Sequence, residues 1–361
     1  MDEIGRIRAR IDAIDQDILQ LLKTRYENAK ILGQLKRRRG LATRDRQRER
    51  DILAKIQRAS EKLDLNPRYS LQIFHKIFNL SLEAQREKRK PSFHKLRNKE
   101  ILIIGGTGAM GQFFSRFITA NGGTVTIVGL DQRRTLKTAE DLAVKPGRLL
   151  DAASSDIVIV AVPMKSTRQV CIRAANRMRS GALLIDLCSV KSGIADIIAV
   201  QTPSRIEYVS VHPLFAPDID HLDGQNIAAV SYRTGPQWDR LSRTLTSSGA
   251  RIIKMTCDYH DRTMALVQVA HHYALLSLGN SLKGWSGDLK TNSIKRTIAT
   301  VRSLLGNWDT IIGIQQLNPY ARQTRREFAK MTKSMVELRG PQVNRMRRDL
   351  ASLVQKWSRK P

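Results

Sequence analysis

Residues 101–111 read ILIIGGTGAMG, a short aliphatic run that continues directly into a glycine-rich loop. A helical segment follows, and then a second aliphatic run at residues 125–128. Gly106, Gly108 and Gly111 fit the pattern G-x-G-x-x-G, whose glycines permit a tight turn, close approach of the backbone to a pyrophosphate, and close packing of helix on strand. Because strand, loop, helix and second strand occur in this order, the stretch predicts dinucleotide binding rather than only a structural turn.

The predicted cofactor contacts come from this loop and from the segment after the second aliphatic run. They are Gly106, Thr107, Gly108, Ala109, Met110, Gly111, Asp131 and Arg133. Where an acidic residue commonly binds the ribose hydroxyls of NAD, the chain has Gly129, and Asp131 lies two residues later. Arg133 and Arg134 have the chemistry to bind the 2′-phosphate of NADP. The sequence therefore predicts a nicotinamide dinucleotide, with NAD as first choice and NADP as the alternative.

Outward from the loop, the hydrophobic pattern predicts a parallel sheet. Helical segments separate the early strands, and this alternation is typical of a doubly wound α/β sheet of the Rossmann type. The strands are predicted at residues 101–104, 125–128, 157–162 and 183–186, with weaker ones near residues 209, 227 and 252. From about residue 259 onward, long helical segments replace the strands.

The region before the glycine loop has a helical period throughout. Apolar residues recur every three or four positions from Ile4 to about Leu35, and similar patterns cover residues 45–60 and 67–85. Residues 86–99 are mostly basic and polar. The sequence therefore predicts a multidomain chain. Its parts are an all-α domain at 1–90, a linker at 91–98, the dinucleotide-binding domain at 99–256 and an all-α dimerisation and substrate domain at 257–361.

The composition is strongly basic. The net charge of +29 comes from 62 Lys and Arg against 33 Asp and Glu, and such an excess is typical of nucleic-acid-binding proteins. However, aromatic residues make up only 5% of the chain, and the basic runs lack the interleaved aromatics of a single-strand binder. We expect solvated faces and a field that attracts small anions, without a nucleic-acid partner.

The N-terminus, the apolar runs and the cysteines exclude several classes of protein. The first residues, MDEIGR, are charged where a secretory signal is apolar, and the aliphatic runs are too short to span a bilayer. We therefore expect a cytoplasmic protein without membrane contact. Cys171, Cys188 and Cys257 are odd in number and widely spaced, which predicts buried thiols and no metal site.

Arg25 falls within the apolar stripe of the first helix, where a charge is costly without an anionic partner. Lys36 follows 11 residues later, roughly 16 Å along the same face, so the two side chains are able to bracket a small dianion. Arg8 precedes Arg25 by 17 residues, or roughly 25 Å, too far to touch the same ligand. If Arg8 contributes, it comes from a second protomer, which predicts an intertwined homodimer.

Residues 1 to about 90 resemble the all-helical chorismate mutase family. The residues that carry the resemblance are Arg8, Arg25, Lys36, the segment RDRQRER at 44–50, Ser81 and Gln85. The resemblance implies that the partner chain's Arg8 and this chain's Arg25 bind the two carboxylates of chorismate, with Ser81 also in contact with substrate. It implies that Lys36 and Gln85 donate to the ether oxygen, which gains negative charge as the bond breaks.

In the same family pattern, Glu49 and Asp45 orient the ring hydroxyl, and Arg48 supports their loop. The reaction is a unimolecular rearrangement, so the site needs a preorganised conformation and electrostatic stabilisation, without a nucleophile. The resemblance implies that the substrate is chorismate and the product is prephenate.

Residues 99 to about 330 resemble prephenate dehydrogenases, in the fused form of the T-protein family. The resemblance rests on DLCSVK at 186–191, HPLFAPD at 212–218, the pair His260-Asp261, and Arg302. It implies oxidative decarboxylation of prephenate to 4-hydroxyphenylpyruvate with NAD(P)+. His212 would accept the proton of the ring hydroxyl, a role suited to imidazole, and Arg302 would bind the ring carboxylate.

The resemblance places three further residues in the dehydrogenase site. Ser189 and Lys191 would lie near the nicotinamide and the substrate, and His260 near the site entrance. Since the chain leaves no room for a regulatory domain of ordinary size, feedback by tyrosine would act at or near the active site. Two alternatives stay open: another Rossmann dehydrogenase whose N-terminal helices only dimerise it, and a basic nucleic-acid-binding protein.

Overall fold

The computed structural model describes residues 2–39, 41, 45–85, 95–219, 221–337 and 340–359. The chain forms two compact units, Met1–Phe93 and His94–Pro361. Each unit has its own internal packing. None of the helices within these described ranges is both long and apolar enough to cross a membrane.

The first unit consists of the three predicted helices. They are α1 (Glu3–Arg38), α2 (Arg46–Lys62) and α3 (Pro67–Gln85). Helix α1 packs on α3, and α3 packs on α2. Asp45 caps α2, because its side-chain oxygen accepts a hydrogen bond from the Arg48 N–H at 2.9 Å, and Pro67 occupies the first turn of α3. The helical period therefore predicted this unit well, with α1 and α2 extending a few residues further than expected.

The second unit is built on an eight-stranded sheet with the strand order 3-2-1-4-5-6-7-8. The strands are β1 (Glu100–Ile104), β2 (Thr124–Val128), β3 (Lys145–Pro146), β4 (Ile157–Val160), β5 (Leu183–Asp186), β6 (Glu207–Pro213), β7 (Asn226–Arg233) and β8 (Arg251–Lys254). All neighbours pair in parallel except β6 and β7, which are antiparallel. The described residues between β6 and β7 form no helix, and only an antiparallel pair can be joined without a crossover.

Helices cover both faces of this sheet. They are α4 (Ala109–Ala120), α5 (Gln132–Asp141), α6 (Met164–Ala175), α7 (Ala195–Gln201) and α8 (Pro236–Ser247), together with a short 3-10 helix at Leu149–Ala153. Side chains of β1 alternate between two buried apolar clusters: Ile101 and Ile103 belong to one, and Leu102 and Ile104 to the other. Because β1 is buried on both faces, it forms the centre of the predicted doubly wound fold.

The chain then continues into a helical region. It contains α9 (Cys257–Met264), a π-helical segment at Ala265–Ala270, α10 (His271–Ser281), α11 (Asn292–Gly306), α12 (Trp308–Leu317), α13 (Ala321–Ser334) and α14 (Gly340–Arg359). A small core of Ala265, Val269, Ile314 and Ala321 joins the π-helical segment to α12 and α13, and α12 also contacts α6. The helical region therefore packs against the sheet domain within the second unit.

Candidate active sites

The glycine loop lies at the carboxyl end of β1, between β2 and β4. Gly105 has a φ of +87°, and a Cβ there would lie 2.2 Å from the Ala161 carbonyl oxygen just after β4. A Cβ on Gly106 would lie 2.5 Å from Ile127 Cβ, and one on Gly111 would lie 2.4 Å from the Gly105 oxygen. The tight turn that the sequence assigned to Gly106 is therefore made by Gly105, and Gly106 is needed for packing on β2.

Gly108 leaves the start of α4 open to a ligand. It precedes the first helical residue, Ala109, and a Cβ on it would meet only the Gly105 oxygen within 4 Å, at 3.3 Å. The N–H groups of Ala109 and Met110 belong to the first helical turn, which has no intrahelical acceptors for them and attracts anions. Since the strand order reverses between β1 and β4, this end of the sheet is where open α/β folds bind dinucleotides.

The segment after β2 reaches back to the glycine loop. The Arg134 guanidinium donates to the Thr107 carbonyl oxygen at 3.2 Å, and the Arg134 N–H donates to Asp131 Oδ1 at 3.0 Å. Asp131 therefore caps α5, and Arg133 is exposed on the first turn of that helix. The residues predicted to contact a dinucleotide therefore lie at the carboxyl ends of β1 and β2, where the N–H groups at the start of α4 fit its phosphate groups.

A hydrogen-bonded chain of three side chains lies at the same edge of the sheet. His212, near the end of β6, is buried, and its Nδ1 lies 3.0 Å from Nε2 of His260. His260 Nδ1 in turn lies 2.7 Å from Asp261 Oδ1. Both His260 and Asp261 are fully buried on α9. His260, which the sequence placed near the site entrance, is fully buried between its hydrogen-bond partners His212 and Asp261.

Asp261 is held in place by backbone groups. Its carboxylate accepts hydrogen bonds from the N–H of Lys191 at 3.0 Å and from the N–H of Ser192 at 2.7 Å. The Asn318 side chain donates to the Asp261 carbonyl oxygen at 2.8 Å. Burial alone would raise the pKa of Asp261, but the bonds from His260, Lys191 and Ser192 lower it below its ordinary value. Asp261 is therefore a fixed, ionised acceptor for His260.

The charge states of the two imidazoles follow from their surroundings. Burial lowers the pKa of His212 well below its ordinary value, and the nearby Lys191 and His260 lower it further. Burial also lowers the pKa of His260, although its bond to Asp261 opposes the shift. Both rings are therefore neutral at neutral pH. Since a carboxylate only accepts, His260 carries its proton on Nδ1, accepts from His212 Nδ1–H through Nε2, and leaves the lone pair of His212 on Nε2.

Lys191 has a different place from the predicted one. It is fully buried, and its ammonium donates to Ser210 Oγ at 2.7 Å and to the Val211 carbonyl oxygen at 3.0 Å, with Asp186 Oδ1 at 3.7 Å. Its ammonium is occupied by these groups beneath β6, so the predicted substrate contact of Lys191 is not available. Its charge instead ties the end of β5 to β6, next to His212.

Ser189 and Arg302 are the remaining predicted contacts. Ser189 is partly exposed in the loop after β5, on the edge that carries His212 and the glycine loop. Arg302 is exposed on α11, and no hydrogen bond or ion pair among the described residues joins it to His212. Sequence reasoning gave no role to Asp261, although its position directly after His260 was noted as part of the pattern.

The first unit has its polar cluster along the seam between α1 and α3. The Arg25 guanidinium donates to Ser81 Oγ and, at 3.4 Å, to the Ile77 carbonyl oxygen. It also lies 5.5 Å from the centre of the Phe78 ring. Partial burial lowers the pKa of Arg25, which nevertheless stays cationic because that pKa starts so high. The predicted pair Arg25 and Ser81 is therefore brought together.

A close approach of the two helices lies two turns further along the seam. A Cβ on the buried Gly33 would lie 2.4 Å from the Gln85 carbonyl oxygen, so only glycine permits this crossing. Gln85 is buried at the end of α3, and Lys36 is partly exposed less than one turn after Gly33. Arg25, Gly33 and Lys36 follow one face of α1, which places the two predicted cations on the α3 side of that helix.

The other predicted mutase residues lie outside this seam. Arg8 is exposed near the start of α1, and Asp45 and Arg48 are exposed around the start of α2, where Glu49 is partly buried. Arg44, which belongs to the same sequence pattern, lies outside the described residues. One chain thus brings together Arg25 and Ser81 but not Arg8, whose side chain is roughly 25 Å away along α1.

Two family models match the chain, one in each unit. Residues 7–86 match the model described as chorismate mutase type II. Residues 114–229 match the model described as the nucleotide-binding domain of prephenate dehydrogenase. The second match confirms the predicted nucleotide-binding domain.

The chain is also similar to several curated proteins. The 4-amino-4-deoxyprephenate dehydrogenase of Streptomyces pristinaespiralis is 30% identical over 63% of this chain and 81% of its own length. A T-protein of Enterobacter agglomerans is 28% identical over 77% of this chain and 70% of its own length. The probable arogenate/prephenate dehydrogenase of Methanocaldococcus jannaschii is 28% identical over 68% of this chain, which spans only 57% of that relative.

A solved structure shows the same fold in the second unit. This structure is prephenate dehydrogenase from A. aeolicus in complex with hydroxyphenyl propionate and NAD+. The superposition covers 73% of the present chain and 97% of the A. aeolicus chain, with a TM-score of 0.59 and 17% sequence identity. This likeness concerns the fold alone, and it confirms the predicted α/β class with its C-terminal helices.

The fold and the two sites define a dinucleotide-dependent dehydrogenase with a helical domain of the mutase type before it. The relatives make the assignment specific, since dehydrogenases of prephenate-like acids match the second unit and T-proteins match across most of the chain. The chain belongs to the bifunctional chorismate mutase/prephenate dehydrogenase family. The predicted family and the predicted pairing of two enzyme domains are thus confirmed.

Proposed function

We propose that the chain carries out two successive steps of tyrosine biosynthesis: the rearrangement of chorismate to prephenate, and the oxidative decarboxylation of prephenate to 4-hydroxyphenylpyruvate with NAD+. The observation that carries the proposal is the chain of hydrogen bonds from Asp261 through His260 to His212, at the sheet edge that holds the glycine loop. The pairing of family matches, one in each unit, supports the combination of the two reactions.

The dehydrogenase step needs a base for the ring hydroxyl. His212 is neutral and has its lone pair on Nε2, so it accepts the hydroxyl proton as the carbon–hydrogen bond breaks. His260 and Asp261 then stabilise the resulting imidazolium through the His212 Nδ1–H. A dinucleotide held by the glycine loop and the start of α4 would supply the hydride acceptor. As carbon dioxide leaves, the electrons of the carbon–carboxylate bond aromatise the ring, and the His212 imidazolium returns its proton to the phenolate oxygen.

Substrate binding in this unit requires a cation, because prephenate is a dianion. Arg302 is the residue we propose for the ring carboxylate: its guanidinium is exposed on α11, and it makes no ion pair with a described residue. Ser189 is proposed to contact substrate or nicotinamide from the loop after β5. Gly108, Ala109 and Met110 at the start of α4 are proposed to bind the pyrophosphate.

In the first unit, Arg25 is proposed to bind one carboxylate of chorismate, with Ser81 orienting its guanidinium. Lys36 and Gln85 are proposed to donate to the ether oxygen, on which negative charge develops. Asp45 and Glu49 are proposed to position the ring hydroxyl, with Arg48 beside them at the start of α2. These groups stabilise charge and conformation, and none of them forms a bond to the substrate.

We propose a homodimer in which the partner chain's Arg8 completes the mutase site. An apolar stripe on α1 supports this proposal: Ile4, Ile7, Ile11, Ile14 and Ile18 are 48–60% exposed in the single chain. Exposed aliphatic side chains in a continuous stripe mark a helix that packs on another protein surface. The poverty of aromatic side chains argues against a nucleic-acid partner.

The proposal is tested with the full chain in two assays. Chorismate absorbance is expected to fall without any cofactor, and dinucleotide reduction is expected from prephenate. Arg25→Ala should remove the first activity and leave the second, whereas Lys23→Ala, an exposed cation on the same helix, should leave both. An unchanged first activity in Arg25→Ala would show the mutase assignment to be wrong. Neither activity, with salt-sensitive DNA binding, would favour the nucleic-acid alternative.

A further inference from the structure

The segment after β2 lacks the side chain that usually selects NAD. Gly129 directly follows the last residue of β2, where an acidic side chain would bind the ribose hydroxyls and repel a 2′-phosphate. A Cβ on Gly129 would lie 2.6 Å from Thr135 Oγ1 and 2.9 Å from Thr107 Cγ2. The packing of α5 against the glycine loop therefore leaves no room for a side chain, and so for a carboxylate, at this position unless Thr135 or Thr107 shifts.

The carboxylate of Asp131, two residues after Gly129, caps helix α5. Asp131 Oδ1 accepts the Arg134 N–H at 3.0 Å, and the Asp131 carbonyl oxygen accepts the Thr135 hydroxyl at 2.7 Å. These bonds fix Asp131 as the N-terminal cap of α5. The negative charge of Asp131 still favours ribose hydroxyls over a phosphate.

Two guanidinium groups follow Asp131. Arg134 is exposed and reaches the glycine loop, where it donates to the Thr107 carbonyl oxygen at 3.2 Å. One nitrogen of the guanidinium makes this bond, and the group carries five N–H donors. Arg133 is also exposed, one position earlier on the same helical turn. A phosphate on the ribose next to the glycine loop would therefore meet positive charge and free donors.

We propose that this dinucleotide site takes NADP+ at least as tightly as NAD+, with Arg134 and Arg133 binding the 2′-phosphate. The inference rests on the proposed function, because it concerns the cofactor of the dehydrogenase step. Arg134 acts from a fixed place, since its bond to Thr107 orients the planar guanidinium toward the loop, and Arg133 adds charge beside it.

Binding is measured by isothermal titration calorimetry on the full chain, with NAD+, NADP+ and the fragments 5′-AMP and 2′,5′-ADP as separate ligands. NADP+ is expected to bind at least as tightly as NAD+, and 2′,5′-ADP more tightly than 5′-AMP. Arg134→Ala should weaken NADP+ binding by about tenfold, with NAD+ changed by less than about twofold, because only the phosphate contact is lost. Lys137→Ala, an exposed cation one turn further on α5, should change neither.

Asp131→Asn tests whether the Asp131 carboxylate only caps α5 or also binds the ribose hydroxyls of NAD+. Asparagine keeps the cap of α5 but removes the charge, so NAD+ binding should stay within about twofold and NADP+ binding should tighten. A wild-type chain that binds NAD+ more tightly than NADP+ would overturn the inference, as would a loss of NAD+ binding in Asp131→Asn. Failure of both dinucleotides to bind would instead count against the proposed dehydrogenase. Thermal melting of each variant controls for misfolding.

Discussion

The two candidate sites differ in how much of each site one chain supplies. In the second unit, His212, His260 and Asp261 are buried and joined by hydrogen bonds within a single chain. In the first unit, Arg25 meets Ser81 on one seam, but Arg8 stays exposed far along α1 beside an uncovered apolar stripe. A site at the edge of a folded sheet is complete when the chain folds, whereas a site on a helical surface depends on what packs against it.

Replacing His212, the proposed base of the second unit, should have the largest effect. His212→Asn should lower kcat of prephenate oxidation by about a thousandfold, because asparagine has no basic lone pair to accept the hydroxyl proton. NAD+ binding, followed by calorimetry, should change little, and chorismate mutase activity should be unaffected. His271→Asn, an exposed histidine in the same unit, is the matched control. A change in dinucleotide affinity with unchanged kcat would contradict the assigned role.

Asp261→Asn tests the buried hydrogen bonds that join Asp261 through His260 to His212. With its oxygen at the Oδ2 position, asparagine would keep the bond from the Ser192 N–H at 2.7 Å and the longer bond from the Lys191 N–H at 3.3 Å. The amide N–H₂, at the Oδ1 position, would then face His260 Nδ1. His260 would then carry its proton on Nε2 and donate to His212, which would place the His212 proton on Nε2 and remove the lone pair there. We expect kcat to fall by about a hundredfold, which steady-state kinetics would detect.

The control for this variant is Asp239→Asn, which removes an exposed carboxylate on α8. The change in tautomer is measured separately by 15N NMR of labelled histidine. A fall in kcat without a change in the imidazole nitrogen shifts would mean that Asp261 acts only by holding the fold.

Complementation between chains tests whether the mutase site takes Arg8 from a partner chain. Arg8→Ala and Arg25→Ala should each lack mutase activity, but co-expression should restore about a quarter of the wild-type rate. Random pairing makes about half of the dimers mixed, and each mixed dimer has one intact site out of two. Co-expressed His212→Asn and Asp261→Asn should show no such recovery, because both residues belong to the same chain. Absence of recovery in the first pair would mean that Arg8 is not shared between chains.

The sequence predicted the architecture because periodicity reports burial. The three N-terminal helices, the strands β1, β2, β4 and β5, and the glycine loop all followed from local pattern. The strand β7 was predicted, but its antiparallel direction was missed, since strand direction depends on the connection from β6 rather than on the strand's own residues. Gly106 was given the turn that Gly105 makes, because two adjacent glycines offer the same freedom and only the contact with Ala161 distinguishes them.

The sites were predictable to the extent that a residue type and a strand end define them. His212 was found because it follows an aliphatic strand. Lys191 was misplaced, because nothing in the local sequence says whether a lysine after a strand turns toward solvent or beneath the next strand. Asp261 received no role, since its partners Lys191 and Ser192 are about 70 residues away in sequence. Side-chain networks of this kind appear only once the fold is known.

The pH dependence of stability gives the smallest expected effect and again separates the two units. Burial lowers the pKa values of His212 and His260 below 6.5, so the folded second unit keeps these rings neutral where the unfolded chain is protonated. The unfolded state then binds more protons, and the free energy of unfolding falls as the pH drops below about 6.5; the full stability is present above that value. His272, whose pKa burial lowers to about 4, contributes with the same sign.

Calorimetry of the full chain between about pH 5 and 8 should therefore show a transition of the second unit whose Tm declines on acidification. His212→Asn should flatten that decline, because asparagine takes up no proton, and the remaining slope would come from His260 and His272. If His212→Asn and the wild type lost stability in parallel, His212 would have the same pKa in the folded and unfolded states, and burial would not be what keeps this ring neutral.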